Sequence, residues 1–161
     1  MDVIPAIDLR GGKWVRLHQG DYSQETVFDD DPIAVLGRFE DAGATRVNIV
    51  DLDGAREGTR VNADVVGRMA SVARIPLQVS GGIRDAGTAV SLVADGVARV
   101  VFGTAAVEAP EEVEAAIADL GTDSVVVGID ARDGIVATRG WTASTDVRAL
   151  DMVRKMADMG V

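Results

Sequence analysis

The sequence predicts an α/β fold made of about the first five units of a parallel (β/α)₈ barrel of the TIM type. Five short apolar runs alternate with helical patterns, which gives five βα units of about 30 residues each. The length of 161 residues is close to five-eighths of the roughly 250 residues of a complete barrel. A fragment of the first strand also returns on the fifth strand, and half-barrels repeat every four strands.

The predicted strands are rich in β-branched residues and are almost continuously apolar. This pattern is typical of parallel strands that are covered on both faces. The predicted strands span residues 3–8, 46–51, 76–80, 99–102 and 124–130.

The helices between these strands have clear start and stop signals. Asp31 and Pro32 predict the start of one helix, and Gly43 its end. Pro110 and Gly121 bound another in the same way. Further helices are predicted over 62–73, 85–97 and 146–159, the last with an apolar stripe of Val147, Leu150, Val153 and Ala157.

Counting units does not distinguish the partial barrel from a five-stranded flavodoxin-like sheet, which closes at this size. The duplication favours the barrel. It also divides the single predicted domain, residues 1–161, into a first half-barrel at about 1–122 and the start of a second at about 123–161.

Composition narrows the class of partner. The formal net charge of −10 argues against nucleic acid and against an anionic membrane surface. Cysteine is absent, no signal peptide is visible, and no apolar run approaches the roughly 20 residues that span a bilayer. We therefore expect a soluble, cytoplasmic protein.

The duplicated fragment places an aspartate at the end of two strands. Ile7-Asp8-Leu9-Arg10-Gly11-Gly12 returns as Ile129-Asp130-Ala131-Arg132-Asp133-Gly134. A lone strand-end aspartate often only caps the next turn. Two in matching contexts, at the carboxyl edge of a parallel sheet, suit one acid and one base that act on a substrate between them.

Two glycine-containing segments follow the third and fourth predicted strands. Gly81 and Gly82 lie in Ser-Gly-Gly-Ile-Arg, and Gly103 and Thr104 lie in Phe-Gly-Thr-Ala. Glycines can simply make tight turns, but here their backbone N–H groups, with the following helix N-termini, suit a phosphate. Backbone amides would bind an anion without an excess of basic side chains.

Other candidate residues carry weaker signals. Arg139 and Trp141 follow the fifth strand in a glycine-containing loop that could clamp a ligand. Asp51 and Asp53 are more typical of turn and capping roles. No His, Cys or Asp cluster has metal-ligand spacing, so we expect no metal site.

The combined motifs resemble the phosphoribosylformimino-aminoimidazole carboxamide ribotide isomerases of histidine biosynthesis. The similarity covers essentially the whole chain. It includes Ile4-Pro5-Ala6-Ile7-Asp8-Leu9-Arg10-Gly11-Gly12, Val50-Asp51-Leu52-Asp53-Gly54-Ala55, Ser80-Gly81-Gly82-Ile83-Arg84, Gly103-Thr104-Ala105 and Gly140-Trp141. The sister cyclases usually carry Cys-Leu-Asp where this chain has Ala6-Ile7-Asp8, so the resemblance favours the isomerases.

The resemblance implies an aldose–ketose isomerase that performs an Amadori rearrangement on a bis-phosphorylated aminoimidazole substrate, without a metal or an organic cofactor. It makes Asp8 the general base and Asp130 the general acid. It also implies that Gly81, Gly82, Gly103 and Thr104 hold one phosphate, with Arg139 and Trp141 in the loop that closes over the substrate. Some relatives in this family also isomerise phosphoribosyl anthranilate, so a bifunctional isomerase is an alternative that the resemblance leaves open.

Members of this family continue for roughly three more βα units, which carry a second phosphate site. We therefore expect a truncated chain that self-associates through its open barrel edges. The alternative functions are an inactive, phosphate-binding or self-assembling scaffold and a flavodoxin-like phosphate or flavin binder. The repeated aspartate strand argues against the flavodoxin-like binder.

Overall fold

The computed structural model describes residues 3–161, and a seven-stranded, mostly parallel sheet lies at its centre. The strands are β1 (Ala6–Arg10), β2 (Lys13–His18), β3 (Asp21–Asp29), β4 (Val47–Asp51), β5 (Leu77–Ser80), β6 (Arg99–Phe102), β7 (Val125–Val127), β8 (Ala131–Arg132), β9 (Ile135–Thr138) and β10 (Ala143–Arg148). The helices are α1 (Pro32–Asp41), α2 (Leu52–Glu57), α3 (Ala63–Val72), α4 (Ala86–Ala94), α5 (Thr104–Glu108), α6 (Pro110–Leu120) and α7 (Ala149–Asp158). None of the helices within residues 3–161 is long and apolar enough to cross a bilayer.

The strand order identifies the kind of sheet. β1, β4, β5, β6 and β7 are parallel neighbours in chain order, with no reversal of direction along the sheet. A flavodoxin-like sheet would place its second strand outside its first. The sequential order is that of a (β/α) barrel, so the partial-barrel prediction is confirmed and the flavodoxin-like alternative is wrong.

All five predicted strands are present, but the sequence analysis missed two antiparallel additions. β2 and β3 form a hairpin that extends the main sheet beyond β1. β8, β9 and β10 form a separate three-stranded sheet after β7. Both additions lie next to a predicted catalytic aspartate, so they shape the mouth of the barrel.

The five parallel strands bury alternate side chains, and only one face of the sheet is packed against helices. The buried side chains are each at most 2% exposed and include Ile7, Leu9, Ile49, Val79 and Phe102. The other face carries half-buried polar groups such as Asn48 and Gln78, which share a hydrogen bond of 3.1 Å. The predicted coverage of both faces is therefore wrong for residues 3–161, because apolar β-branched residues also occur on the half-open face.

The two copies of the duplicated fragment adopt the same local backbone structure. Gly11 and Gly12 form the β1–β2 turn with φ of +55° and +78°, and Asp133 and Gly134 form the β8–β9 turn with φ of +53° and +80°. Both turns join two antiparallel strands across two left-handed residues, as in a type I′ hairpin. Each copy thus leads from its aspartate into a tight hairpin at the barrel mouth.

The predicted helices are present close to their predicted positions, but the buried face of the last one was predicted wrongly. Asp31 caps α1 by accepting from the amides of Ile33 and Ala34. In α7 the buried side chains are Met152 and Met156. Leu150 is 63% exposed and Val153 is 50% exposed, so these residues of the predicted stripe do not face the core. Val147, predicted in the same helix, lies in β10 and packs against the core.

Candidate functional site

A cavity of about 580 Å³ lies at the carboxyl ends of β1, β4 and β7. Both predicted catalytic aspartates line it. The rest of its wall includes Arg16, Leu17, Gln19, Gly20, Tyr22, Val50, Leu52, Ala55, Arg132, Gly140 and Trp141. The fold thus brings Asp8 and Asp130 to one space.

Asp8 faces this cavity because its neighbours on β1 face the helices. Ile7 and Leu9 are fully buried, and the alternation along the strand turns Asp8 to the other face. The Asp8 side chain is 18% exposed, and its Oδ2 lies 3.9 Å from a guanidinium nitrogen of Arg16 on β2. Burial raises the pKa of the Asp8 carboxyl, and the charge of Arg16 opposes this rise.

Asp130 lies just after β7, and β7 and β1 are the two ends of the run of five parallel strands. It is more open to solvent than Asp8. Even so, the surrounding protein removes enough water from its carboxyl to raise the pKa of Asp130. The two aspartates therefore differ in their surroundings: Asp8 has a nearby cation, whereas burial alone shifts the pKa of Asp130.

The four predicted phosphate-binding residues line a second cavity, of about 360 Å³. Gly81 and Gly82 come from the end of β5, and Gly103 and Thr104 from the end of β6. Asp130, Arg139 and Trp141 also line this cavity, and Asp130 and Trp141 are shared with the first one. The predicted acid, phosphate residues and loop residues are therefore contiguous.

Backbone packing requires glycine at two of these positions but not at the third. A Cβ on Gly81 would lie 2.1 Å from the carbonyl oxygen of Asp51, and one on Gly82 would lie 2.4 Å from that of Thr59. Both residues also have positive φ, so backbone packing alone requires glycine there. A Cβ on Gly103 would meet no atom within 4 Å, because this residue faces open space in the cavity.

The helix that follows Gly81 and Gly82 offers less to an anion than the sequence analysis expected. The side chain of Asp85 accepts from the amide of Thr88 at the start of α4. A carboxylate oxygen of Glu112 accepts from the amide of Ala86 at 2.8 Å. Two carboxylates already accept from amides at this helix end, so fewer of its N–H groups are free for a phosphate.

The loop between β9 and β10 reaches the second cavity through Arg139. Its backbone amide donates to Thr104 Oγ1 at 2.8 Å, and its guanidinium donates to Glu108 at 3.0 Å. Arg139, Gly140 and Trp141 all have positive φ, from +55° to +71°. Three successive left-handed residues, two of them not glycine, store backbone strain in this loop.

The β2–β3 hairpin provides a wall of the first cavity that was not predicted from the sequence. Tyr22 donates from its hydroxyl to the carbonyl of Leu52 at 2.9 Å, and the guanidinium groups of Arg10 and Arg56 each lie 5.4 Å from its ring centroid. Gly20 packs against the indole of Trp141. Gln19-Gly20, a turn pair between two runs with β-branched and aromatic residues, was the available signal for this hairpin.

Asp51 has the local capping role that the sequence predicted, whereas Asp53 instead accepts from the amide of the distant Gly11. Asp51 caps α2 by accepting from the amide of Gly54 at 2.8 Å. Both carboxylates also accept from the side-chain amide of Asn62. Within residues 3–161, no group of three or more His, Asp or Glu side chains is placed to hold a metal ion.

Comparison with known proteins identifies close relatives. A family model described as histidine biosynthesis protein matches residues 2–161. The chain is 51% identical over 161 residues to the 1-(5-phosphoribosyl)-5-((5-phosphoribosylamino)methylideneamino)imidazole-4-carboxamide isomerase of Dehalococcoides mccartyi. It is 49% identical to the isomerase of the same name from a Synechococcus species over 160 residues, and 45% identical to that from Chloroflexus aggregans over 160 residues.

The similarity covers 100%, 99% and 99% of this chain, respectively. The matched regions are 68%, 62% and 66% of the three relatives. The chain therefore spans about two thirds of the length of these curated relatives.

Proposed function

Because this chain belongs to the histidine biosynthesis protein family, and its curated relatives are named as isomerases, we propose that it performs an aldose–ketose isomerisation by acid–base catalysis. The observation that carries this proposal is the shared cavity of Asp8 and Asp130. Burial raises the pKa of both carboxyls toward the range in which proton transfer near neutral pH is efficient. The proposed substrate is a phosphoribosyl aminoimidazole carboxamide with two phosphates.

Asp130 is the proposed general acid for ring opening. Its raised pKa favours the protonated form, which can give its proton to the ring oxygen. As the bond from C1 to that oxygen breaks, the lone pair of the amine nitrogen forms a C1=N double bond. The sugar is then an open-chain iminium ion, and Asp130 is a carboxylate.

Asp8 is the proposed general base for the next step. It takes the proton from C2, the C–H electron pair forms a C1=C2 double bond, and the iminium electrons return to nitrogen. Asp8 then returns a proton to C1 while the C2 hydroxyl gives its proton to Asp130, so that the ketose forms and both carboxyls recover their first state. Arg16 supports this role, because its charge favours ionised Asp8 before the step.

The second cavity is the proposed site for one of the two phosphates. Gly103 supports this assignment most directly, since its missing side chain leaves open space that packing does not require. Thr104 adds a hydroxyl at the same wall, and Arg139 and Trp141 belong to the loop that would close over the bound substrate. The repeated hairpin turns likewise support the proposed division into half-barrels at about residues 122 and 123.

A second candidate function is a phosphate-binding unit that assembles without turnover. Within residues 3–161, β7 has β6 as its only strand neighbour, and the half-open face of the sheet carries polar groups. Such an edge can pair with another chain, so we propose that the 161-residue chain self-associates. Sedimentation over a range of concentrations tests this, and a monomeric mass at every concentration would contradict it.

Turnover by the purified 161-residue chain tests the isomerase proposal. Asp8→Asn, prepared identically, excludes activity from a host enzyme, and Asp95→Asn is a matched control because Asp95 is exposed and lies at the end of α4. The proposal expects turnover in the parent and in Asp95→Asn and none in Asp8→Asn. Phosphate binding with no turnover in any of the three would favour the assembly unit instead.

A further inference from the structure

Asn62 and Asp51 form a buried polar pair beside the proposed active site. They are 6% and 2% exposed, and with Thr138 they are the buried polar side chains within residues 3–161. Burying such groups is unfavourable unless each polar atom has a partner, so the contacts of this pair indicate what it does.

Asn62 uses its side chain in an unusual way for its position. It is the N-cap residue of α3, where asparagine normally accepts a hydrogen bond from the first turn of the helix. Here its side chain makes no such bond. Helix capping therefore does not explain why asparagine occupies this position.

The side chain instead joins the start of α3 to the segment of Asp51 and Asp53 and to the β1–β2 turn. Its Nδ2 donates to Asp51 Oδ1 at 2.6 Å and to Asp53 Oδ2 at 3.0 Å. Its Oδ1 accepts from the backbone amide of Gly12 at 2.9 Å. Only a side chain with both a donor and an acceptor can contact two carboxylates and an N–H group at once, so aspartate or leucine cannot replace it.

The contacts with Gly12 and Asp53 fix the β1–β2 turn. Asp53 Oδ2 also accepts from the amide of Gly11 at 2.8 Å, so both residues of the turn are held by side chains from beyond β4. We call Asn62, Asp51 and Asp53 the turn clamp. The turn sets the register of β2, in which Val15 lies opposite Asp8 and Arg16 follows it.

We infer that Asn62 is a positioning residue whose turn clamp sets the distance between Arg16 and Asp8. The inference rests on the proposed function, in which Asp8 is the general base. Arg16 is 70% exposed at its side chain and is held near Asp8 mainly by the path of the hairpin. A loosened turn would thus separate the cation from the carboxylate without removing either.

The test measures the coupling between Arg16 and Asp8 by NMR titration of the Asp8 carboxyl in the 161-residue chain. In the parent, Arg16→Gln is expected to raise the pKa of Asp8, because it removes a nearby positive charge. In an Asn62→Ser background, the same change is expected to raise it by less than about half as much, since charge interactions weaken with distance. The Asn62 side chain does not cap α3, so a lost cap cannot account for a change in this variant.

Amide exchange gives a second readout that does not depend on titration. Asn62→Ser is expected to speed exchange at Gly11 and Gly12 by at least about tenfold, because the turn opens locally. Asp85→Ala, which removes the cap of α4, is the matched control and should leave this exchange and the coupling unchanged. If Asn62→Ser does not fold, Asp53→Ala takes its place as the test variant, because it removes the acceptor of the Gly11 amide. Asp53→Asn keeps an acceptor oxygen at this position and is the control for it.

Two results would overturn the inference. One is that Arg16→Gln raises the pKa of Asp8 as much in the turn-clamp variants as in the parent. The other is that Arg16→Gln does not change the pKa of Asp8 in the parent. The readouts do not require turnover. A chain that shows the coupling but no isomerisation would therefore refute the proposed function and leave the positioning role intact.

Discussion

The backbone amide of Arg139 donates a hydrogen bond of 2.8 Å to the hydroxyl oxygen of Thr104. This contact joins the β9–β10 loop to the start of α5, across the cavity proposed for a substrate phosphate. One residue of the proposed phosphate site thus already holds the loop that would close over it.

Thr104→Val is expected to weaken phosphate binding and to loosen the loop together. Valine keeps the shape of threonine but has no hydroxyl, and a lost hydrogen bond of this kind contributes about 1 kcal/mol, or roughly fivefold in affinity. Thr104→Ser keeps the hydroxyl and is the matched control. Calorimetric titration with inorganic phosphate measures the effect, and equal affinities in the two variants would count against the assignment.

Gly81→Ala and Gly103→Ala are expected to fail in different ways. At Gly81, a Cβ would overlap the carbonyl of Asp51 and strain a left-handed backbone, so we expect a loss of more than about 3 kcal/mol of unfolding free energy. At Gly103 the new methyl group meets no atom within 4 Å but fills cavity space.

We therefore expect Gly103→Ala to fold and to bind phosphate poorly. Urea unfolding combined with phosphate titration distinguishes the two effects. A Gly103→Ala protein that binds phosphate as the parent does would contradict the proposed site.

The raised pKa of Asp8 predicts that Asp8→Asn is more stable than the parent at neutral pH. Burial penalises the charged carboxyl, so the folded state holds its proton at pH values where the unfolded chain, with a pKa of about 4, has lost it. This contribution is fully present below the unfolded pKa and is lost as pH rises through the folded pKa.

The stability difference between Asp8→Asn and the parent should therefore be largest near pH 7 and shrink toward pH 3. Urea denaturation across this range measures it. A difference that grows as the pH falls would show that the ionised carboxylate is favoured in the folded state.

Trp141 offers a direct report of ligand binding. It is 43% exposed and lines both cavities. The chain has one other tryptophan, Trp14, so Trp14→Phe leaves Trp141 as the sole indole. Phenylalanine keeps an aromatic ring at this position, where Trp14 packs against Phe28 and Phe39 with ring centroids 5.1 Å and 5.8 Å apart. Substrate is expected to shift its emission to shorter wavelength as the loop closes, whereas an unchanged spectrum at saturating substrate would contradict loop closure.

The parallel strands were predictable because each is a short apolar run that ends near a turn residue. The hairpin of β2 and β3 gave a weaker signal, because β3 is largely exposed and polar and only the turn pair Gln19-Gly20 marks it. The face of α7 was predicted wrongly because Met152 and Met156, rather than the branched residues, pack against the core.

The sequence also predicted that Asp8 and Asp130 share a site, since each lies in a copy of the same motif, and both line the first cavity. It could not identify Asn62, whose partner Gly12 lies 50 residues away and becomes a neighbour only when the sheet forms.

The most direct test of the proposed mechanism follows the C2 proton of the substrate. With substrate labelled by deuterium at C2, the parent chain is expected to show a slowed reaction and to transfer part of the label to C1 or to solvent. Asp8→Asn is expected to open the ring and yet to retain all deuterium at C2, whereas Asp130→Asn should be slow in ring opening itself. Loss of the label at the parent rate in Asp8→Asn would contradict the assignment of Asp8 as the general base.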